Sequence, residues 1–321
     1  MTQRHGRASR TNAEVTLVDA KVEHDGAESS VVTLRSGRRM GFATFGDPNG
    51  IPVLALHGAP ACRLMFDVAD ASARACGLKL IAFDRPGYGL TPLDYGATLL
   101  SRTEAFAELP DALGLDRFML LGVSGGGPYA VSLAARLGSR VAGLALISPL
   151  GPVADTASRD VPNPVHMSIM QRVFYLDMPR HPWVLRANAE IAMRSFRAAP
   201  SFFASTFLHL LPEADSVILS REDVSHSMIE MTMEATRHGI LGGICDLEIY
   251  GEPWHVDYSQ ITAPARLWQG TADTIVPVGV SLKLGELIPG CEVTQVEGGG
   301  HFWIYDAIPE ILGTVASMAK H

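Results

Sequence analysis

The 321-residue sequence lacks several features that mark large classes of protein. It has no apolar run of about 18 residues or more, so no transmembrane helix is expected. It has no stripe of basic residues, which a groove for nucleic-acid phosphates would need, and 26 Lys and Arg against 34 Asp and Glu give a formal net charge of −8. No nucleic-acid partner is therefore expected. The basic N-terminus is not followed by an apolar stretch, so no secretory signal is expected either.

Metal-ligating patterns are also missing. The eleven histidines form no HxH or HExxH arrangement, so the sequence predicts no metal site, and no motif in it indicates a cofactor. The cysteines form no CxxC pair, which favours reduced, buried thiols in a cytoplasmic protein. The four cysteines are Cys62, Cys76, Cys245 and Cys291.

What the sequence does have is an alternation of short apolar runs and helical patterns. Apolar residues make up 47% and charged residues 19%, which is enough apolar material for a large buried core. The alternation predicts an α/β fold with a doubly wound, mostly parallel sheet, opened by a hairpin of the first two strands. The predicted strands are 31–34, 40–45, 52–56, 78–83, 118–123, 141–147, 265–268 and 293–296. The predicted helices lie near 64–75, 101–113, 126–137, 277–288 and 303–319.

The alternation stops after Pro149 and resumes near Pro264, which divides the chain into four parts. Apolar positions at helical spacing predict a helical insertion between two strands of one sheet domain. Seven of the twelve methionines fall in this insertion, and they fit either an adaptable pocket wall or ordinary helix core. The predicted parts are a disordered tail (1–29), the first part of the core (30–150), a helical cap insertion (151–258) and the second part of the core (259–321).

The strongest local signal is Gly122-Val123-Ser124-Gly125-Gly126, which follows a predicted strand and opens a predicted helix. Gly-x-Ser-x-Gly in this context predicts a nucleophile elbow, a tight turn that exposes a serine hydroxyl. A phosphate-binding turn is the alternative, but the segment lacks the full GxGxxG order and the Lys of a P-loop. The helix that follows directs its free N–H groups at the serine, which favours developing negative charge.

A serine nucleophile needs a base and an acid that orients the base, in the chain order Ser, Asp, His for this type of elbow. Asp273 follows the strand 265–268, and His301 follows the strand 293–296 on a glycine-rich loop. Parallel strands end at the same edge of a sheet, so both side chains are expected close to Ser124. Glu297 is a rival acid, although it lies on the same loop as His301. We therefore predict a catalytic triad of Ser124, Asp273 and His301.

Two backbone N–H groups are expected to bind the oxyanion of a tetrahedral intermediate. One is the N–H of Gly125, and the other is the N–H of Ala59 in the loop after the strand 52–56, because Pro60 has no N–H. His57 is expected to brace this loop. Asp84 and Arg85, in the turn after the strand 78–83, are expected to hydrogen-bond that turn.

Together these motifs resemble the α/β-hydrolase fold family, and in particular its branch with a helical cap inserted after the sixth strand. The resemblance covers about residues 30–321 and rests on His57-Gly58, 84–89, 122–126, Asp273 and His301. It implies a sheet of about eight strands. Members of the family that open epoxides or remove halides carry Asp at the elbow, and those similar to dienelactone hydrolases carry Cys. Ser124 disfavours both activities.

A narrower resemblance is partial. His57-Gly58-Ala59-Pro60 is similar to the HGGPG loop of prolyl iminopeptidases, but Ala61 replaces the last glycine, and Gly125 stands where their elbow commonly has Trp. An aminopeptidase would also need acidic residues in the insertion to hold the ammonium group of its substrate. The candidates are Glu213, Asp215, Glu230 and Asp246, for which exposed surface positions are the favoured interpretation.

The sequence thus predicts a serine hydrolase that cleaves a small or medium, apolar carboxylic ester through an acyl-enzyme on Ser124. The expected partner is a small-molecule substrate. Hydrolysis of a C–C bond in a β-diketone-like substrate and a prolyl-iminopeptidase-like activity are alternatives that use the same triad. A ligand receptor that keeps the fold without turnover is the alternative from another class. Neither the physiological substrate nor the oligomeric state is indicated.

Overall fold

The computed structural model of the chain describes residues 17–24, 27–158 and 161–319. Nine strands of these residues form one sheet, in the order β1-β2-β3-β5-β4-β6-β7-β8-β9. The strands are β1 (Leu17–His24), β2 (Ala27–Thr33), β3 (Arg39–Gly46), β4 (Ile51–Leu56), β5 (Leu78–Phe83), β6 (Phe118–Val123), β7 (Val141–Ile147), β8 (Ala265–Gly270) and β9 (Glu292–Val296). All eight predicted strands are present, and the predicted hairpin is the antiparallel pair β2 and β3.

The sheet has an antiparallel part and a parallel part. β1, β2 and β3 pair antiparallel with one another in order, and β3 pairs antiparallel with β5. From β5 through β4, β6, β7 and β8 to β9 every pairing is parallel. The parallel strands therefore end at one common edge of the sheet.

Helices cover both faces of the sheet. On β4, Leu54 and Leu56 pack into the core on one face, and Val53 and Ala55 pack into the core on the other. Burial on both faces explains why this strand is apolar at every position rather than at alternate ones. The helices are α1 (Asp70–Ala75), α2 (Leu99–Phe106), α3 (Leu109–Ala112), α4 (Gly127–Leu137), α5 (Val153–Ala157), α6 (Ile169–Arg172), α7 (Pro182–Ala198), α8 (Pro200–Leu208), α9 (Glu213–Leu219), α10 (Glu222–Ala235), α11 (Leu241–Gly251), α12 (Val278–Leu287) and α13 (Ile304–Met318).

Seven of these helices, α5 to α11, lie between β7 and β8. They correspond to the predicted helical insertion, which we call the insertion and define as residues 151–258. Several of its apolar side chains face solvent, among them Ile169, Trp183 and Leu210, which are 75–83% exposed. None of the helices in the described part of the chain is long and apolar enough to cross a membrane.

The prediction of a disordered tail over 1–29 is wrong for its second half. Residues 17–24 form β1, and β2 begins at Ala27 rather than at 31. β1 pairs with β2 alone at the end of the sheet, so it does not need the continuous apolar sequence of a strand that is buried on both faces. Residues 1–16 lie outside the described residues.

Candidate active site

The candidate site lies where the path of the chain through the sheet reverses. After β4 the chain passes to β5 on one side, and β6 then pairs with β4 on the other side, with Leu56 opposite Gly122. Ligands of open α/β sheets bind at such a point, beyond the carboxyl ends of the strands. This pairing places the loop after β4 beside the turn that carries Ser124.

Backbone geometry confirms a tight turn between β6 and α4. Ser124 has a φ of +51°, a left-handed value that serine rarely adopts and that stores strain at functional sites. A Cβ on Gly122 would lie 2.7 Å from the Cβ of Ala130, and a Cβ on Gly126 would overlap the carbonyl oxygen of Leu56. Both glycines are therefore needed because the helix and the neighbouring strand come so close to the turn.

The three predicted triad residues come together at this edge. Ser124 Oγ lies 3.0 Å from His301 Nε2, and His301 Nδ1 lies 2.8 Å from Asp273 Oδ2. Ser124 and His301 are each 9% exposed and Asp273 is 5% exposed. The set can relay a proton from the serine hydroxyl to the imidazole while a carboxylate holds the ring. Glu297, the rival acid, is exposed on the loop before His301.

Further donors hold the Asp273 side chain in place. Its Oδ1 accepts hydrogen bonds from the backbone N–H groups of Ile275 and Val276, both at 2.9 Å, and its Oδ2 accepts one from Gln269 Nε2 at 3.0 Å. Although burial lowers the pKa of His301, the charge and hydrogen bond of Asp273 outweigh it and leave that pKa above 6.5. The pair thus stabilises the imidazolium that a general base must form.

The two predicted oxyanion donors belong to neighbouring segments. A Cβ built on Gly125 would lie 3.1 Å from the Cβ of Ala59, and one on Gly58 would lie 3.4 Å from the Cβ of Ser124. The carbonyl of Ser124, in the peptide that contains the Gly125 N–H, accepts a hydrogen bond from the Leu150 N–H at 3.0 Å. This bond polarises the peptide toward donation by Gly125.

His57, the first residue of the loop after β4, has a fully buried and neutral imidazole ring. Burial and the Arg85 guanidinium lower its pKa well below the ordinary value. The backbone N–H of Arg85 donates to His57 Nε2 at 3.1 Å, so Nδ1 carries the proton and donates to the Gly58 carbonyl at 2.7 Å. This arrangement fits the predicted bracing role of His57.

Asp84 and Arg85 have different partners, although they are adjacent. Asp84 accepts from the backbone N–H groups of Arg63 and Leu90 and so holds its turn, as predicted. Arg85 instead donates to the carbonyl oxygens of His57 and Gly58. The Arg85 carbonyl oxygen accepts from the Tyr88 N–H at 3.1 Å, so Arg85 does hydrogen-bond its own turn as predicted, while its guanidinium reaches the loop after β4.

The carboxylate that holds Arg85 comes from the insertion and was not recognised as a site residue from the sequence. Asp246 on α11 is fully buried, and two arginines outweigh the cost of burial and keep its pKa low. A charged residue within the otherwise apolar stretch 240–247 was the signal available in the sequence. The groups that donate to Asp246 are Arg85 (2.7 Å), Arg102 (2.7 Å), Tyr88 (2.9 Å) and Tyr129 (2.6 Å).

The expectation of exposed surface positions for the four acidic residues of the insertion is half right. Glu213 and Glu230 are exposed. Asp215 and Asp246 are fully buried, because each is held by donors from the sheet domain: Phe302 N–H for Asp215, and the arginines and tyrosines for Asp246. Both oxygens of Asp246 accept hydrogen bonds, so this carboxylate is not free to bind the ammonium group of a substrate. Asp215 Oδ2 is buried and has no hydrogen-bond partner.

The methionines of the insertion do not form a single wall. Met231 is buried and Met228 half-buried in a cluster that also includes Met65, close to Gly58. Met167 instead packs into the main core, and Met170 is 79% exposed. An apolar cavity of about 50 Å³, lined by Met65, Val123 and Tyr305 among others, lies against the residue that precedes Ser124.

No group of three or more His, Cys, Asp or Glu suited to a metal ion occurs among residues 17–24, 27–158 and 161–319. The four cysteines are free thiols, with Cys62 and Cys245 buried.

Comparisons with known proteins agree with this architecture. The model of the alpha/beta hydrolase family matches residues 53–311. Haloalkane dehalogenase 2 of Mycobacterium tuberculosis is 29% identical over 136 residues, which are 40% of this chain and 47% of the dehalogenase, so the match spans about half of that relative. The uncharacterized hydrolase YcgS of Bacillus subtilis is 23% identical over 260 residues, 79% of this chain and 86% of that protein. An alpha/beta hydrolase fold protein from Nakamurella multipartita superimposes with a TM-score of 0.63 at 25% identity, covering 91% of this chain and 100% of that one.

Proposed function

The chain belongs to the alpha/beta hydrolase family, and we propose that it is a serine hydrolase of small or medium, apolar carboxylic esters. The observation that carries the proposal is the hydrogen-bonded series from Ser124 Oγ through His301 to Asp273, with distances of 3.0 and 2.8 Å. A serine hydroxyl is a weak nucleophile by itself, and a base in this position activates it.

In the first half of the reaction, Ser124 Oγ attacks the acyl carbon and its proton passes to His301 Nε2. Asp273 accepts the hydrogen bond of His301 Nδ1–H and stabilises the imidazolium. The N–H groups of Gly125 and Ala59 donate to the oxyanion. The tetrahedral intermediate collapses when His301 returns the proton to the leaving alkoxide, and the acyl group remains on Ser124.

In the second half, water takes the place of the alcohol. His301 deprotonates the water as it attacks the acyl carbon, and the proton then passes to Ser124 Oγ as the acid leaves. Burial of all three side chains supports this scheme, because charge interactions are stronger where water is excluded.

The preference for an apolar substrate of modest size rests on the surroundings of Ser124. The insertion covers the site, and Met65, Met228 and Met231 form an apolar cluster beside Gly58. Ser124 is only 9% exposed, which favours a substrate of modest size.

Two other activities fit less well. Halide removal, the activity named for the dehalogenase relative, uses an Asp at the elbow in this family, and Ser124 stands at that position. An aminopeptidase needs an accessible carboxylate in the insertion, but Asp246 is occupied by arginines and tyrosines of the sheet domain, and Asp215 is fully buried with its Oδ1 bound to the Phe302 N–H.

A substrate panel of p-nitrophenyl esters with acyl chains of two to twelve carbons, together with thioesters, lactones, amides and β-diketones, tests the proposal. We expect turnover of the short esters and its loss in Ser124→Ala, by at least about 10⁴-fold. Selective cleavage of the β-diketones would favour the C–C hydrolase, and ester turnover that survives in Ser124→Ala would refute the mechanism. A wild-type protein that binds the compounds without turnover would favour the receptor.

A further inference from the structure

Polar side chains of the insertion hold three of the loops that carry the candidate site, namely those of Gly125, Ala59 and His301, and the hold on the Ala59 loop runs through Arg85. We propose that Asp215, Tyr250 and Asp246 are positioning residues, so that α9 and α11 form a fixed part of the catalytic site. The kinetic consequence rests on the proposed function, whereas the contacts themselves do not.

The first contact fixes the loop that carries the nucleophile. The Tyr250 hydroxyl, on α11, donates to the carbonyl oxygen of Gly125 at 2.7 Å. A Cβ on Gly125 would lie 2.5 Å from that hydroxyl oxygen, so the tyrosine fills the space where a side chain would stand. Gly125 is therefore held directly after Ser124 by a residue 125 positions later in the chain.

The second contact fixes the loop after β4, and it does so through the side chain of Arg85. Asp246 accepts from Arg85 Nη2 at 2.7 Å, and the same nitrogen donates to the Gly58 carbonyl at 2.9 Å. That carbonyl belongs to the peptide whose N–H is the Ala59 donor. A charged hydrogen bond to the carbonyl polarises the peptide and strengthens donation by its N–H.

The anchor of this contact is itself immobilised. Arg102, Tyr88 and Tyr129 also donate to the Asp246 carboxylate, which is fully buried. Asp246 and Tyr250 are four residues apart on α11 and so lie on the same face of the helix. One helix face thus holds both segments that are proposed to bind the oxyanion.

The third contact fixes the loop that carries the base. Asp215 Oδ1, on α9, accepts from the backbone N–H of Phe302 at 2.8 Å. A Cβ on Gly300 would overlap the Asp215 carboxyl group, so the loop and the carboxylate are in close contact on the other side of His301. His301 is thereby held between two residues that contact the insertion.

These contacts constrain how the site can open. Moving α11 away from the sheet domain would break the buried ion pairs of Asp246 and leave their charges unpaired, and moving α9 would break the hydrogen bond between Asp215 and the Phe302 N–H. We therefore expect substrate to enter without displacement of these two helices. The catalytic geometry is preorganised by the insertion rather than by the sheet domain alone.

Hydrogen–deuterium exchange, followed by mass spectrometry on the full-length protein, tests the contacts without any substrate. Tyr250→Phe should accelerate exchange in 124–127, Asp215→Ala in 299–303, and Asp246→Asn in 57–60 and 85–89. Tyr258→Phe and Asp223→Ala are the matched controls. They make the same chemical changes elsewhere in the insertion, at positions without a hydrogen bond to these loops, and they should leave the exchange rates of all four segments unchanged. Because Asp246→Asn can prevent folding, the other two variants carry the test in that case.

Kinetics on a short p-nitrophenyl ester test the positioning role. Loss of one hydrogen bond to a site loop should lower kcat by about tenfold with KM within about twofold, because the loops act on the transition state. Wild-type-like exchange in the named segments, or acceleration spread evenly over the chain, would overturn the proposal, as would a change in KM alone. If the wild-type protein hydrolyses no ester, the proposed function fails. The exchange pattern still shows whether the three residues hold the loops of the site.

Discussion

His301 lies between two carboxylates from different parts of the chain. Asp273 contacts its Nδ1, and Asp215 faces the loop from α9; despite the opposing effect of burial, both raise the pKa of His301. A general base acts in its neutral form, so a raised pKa moves the acid limb of the activity profile to higher pH.

The pH dependence of kcat/KM should therefore rise through a pKa above 6.5. Asp215→Asn removes one negative charge but keeps an acceptor for the Phe302 N–H, so the acid limb should shift to lower pH. Asp223→Asn, at an exposed position, is the matched control. An unchanged limb in Asp215→Asn would mean that the Asp215 charge does not act on His301.

Replacement of Asp273 by Asn should lower kcat by more than the loss of its negative charge alone would, because it also changes the tautomer of His301. In Asp273→Asn the amide can present its N–H₂ to His301 and favour the ring tautomer in which Nε2 carries the proton and cannot accept the serine proton. We expect kcat to fall by about 10⁴-fold with little change in thermal stability. Measurement of kcat on a short ester, with the melting temperature as control, checks this, and a loss below about tenfold would argue against Asp273 as the orienting acid.

At the scale of elements, the turn between β6 and α4 places the nucleophile through backbone shape. A Cβ at Gly126 would overlap the carbonyl oxygen of Leu56, whereas a Cβ at Gly313 in α13 would meet nothing within 4 Å. The two glycines thus have opposite tolerances for the same substitution.

Gly126→Ala should lower the free energy of unfolding by about 3 kcal/mol, because backbone of β4 or the turn must move. Gly313→Ala should raise it by about 0.5–1 kcal/mol, because alanine favours the helix and has room. Urea denaturation of both variants checks the pair. Equal effects of the two substitutions would contradict the close packing of the turn.

Helix α11 carries the buried carboxylate of Asp246. A buried charge of this kind is unfavourable unless other groups of the protein compensate it. Two guanidinium groups and two tyrosine hydroxyls supply its hydrogen bonds, so the charge is compensated within the protein. The high cost of breaking such a cluster ties α11 to the loops of the sheet domain.

At the scale of the whole molecule, local sequence predicted the parts that are defined by local physics. The central strands β4, β6 and β7 pack on both faces, so each is a continuous apolar run, and the positions of Ser124, Asp273 and His301 at strand ends follow from strand order. β1 was missed because an end strand with a single partner carries no such signature.

The contacts between the insertion and the sheet domain could not be predicted in the same way. Asp246 lies 161 residues from Arg85, and Asp215 lies 87 residues from Phe302. Sequence alone shows an acidic residue on a helix, which is exposed in most proteins, and only the fold supplies the partners that make burial favourable. The four acidic residues of the insertion therefore divide into two exposed and two buried, and only Asp246, with its apolar neighbours in the sequence, carries a local signal of burial.

The central claim is that Ser124 is the nucleophile of an ester hydrolase. Its most direct test is the mass of the intact protein after reaction with a fluorophosphonate probe, followed by peptide mapping of the adduct. We expect one adduct per chain on Ser124, no adduct in Ser124→Ala, and prevention of labelling by a short ester substrate. An adduct on another residue, or none on the folded wild-type protein, would contradict it.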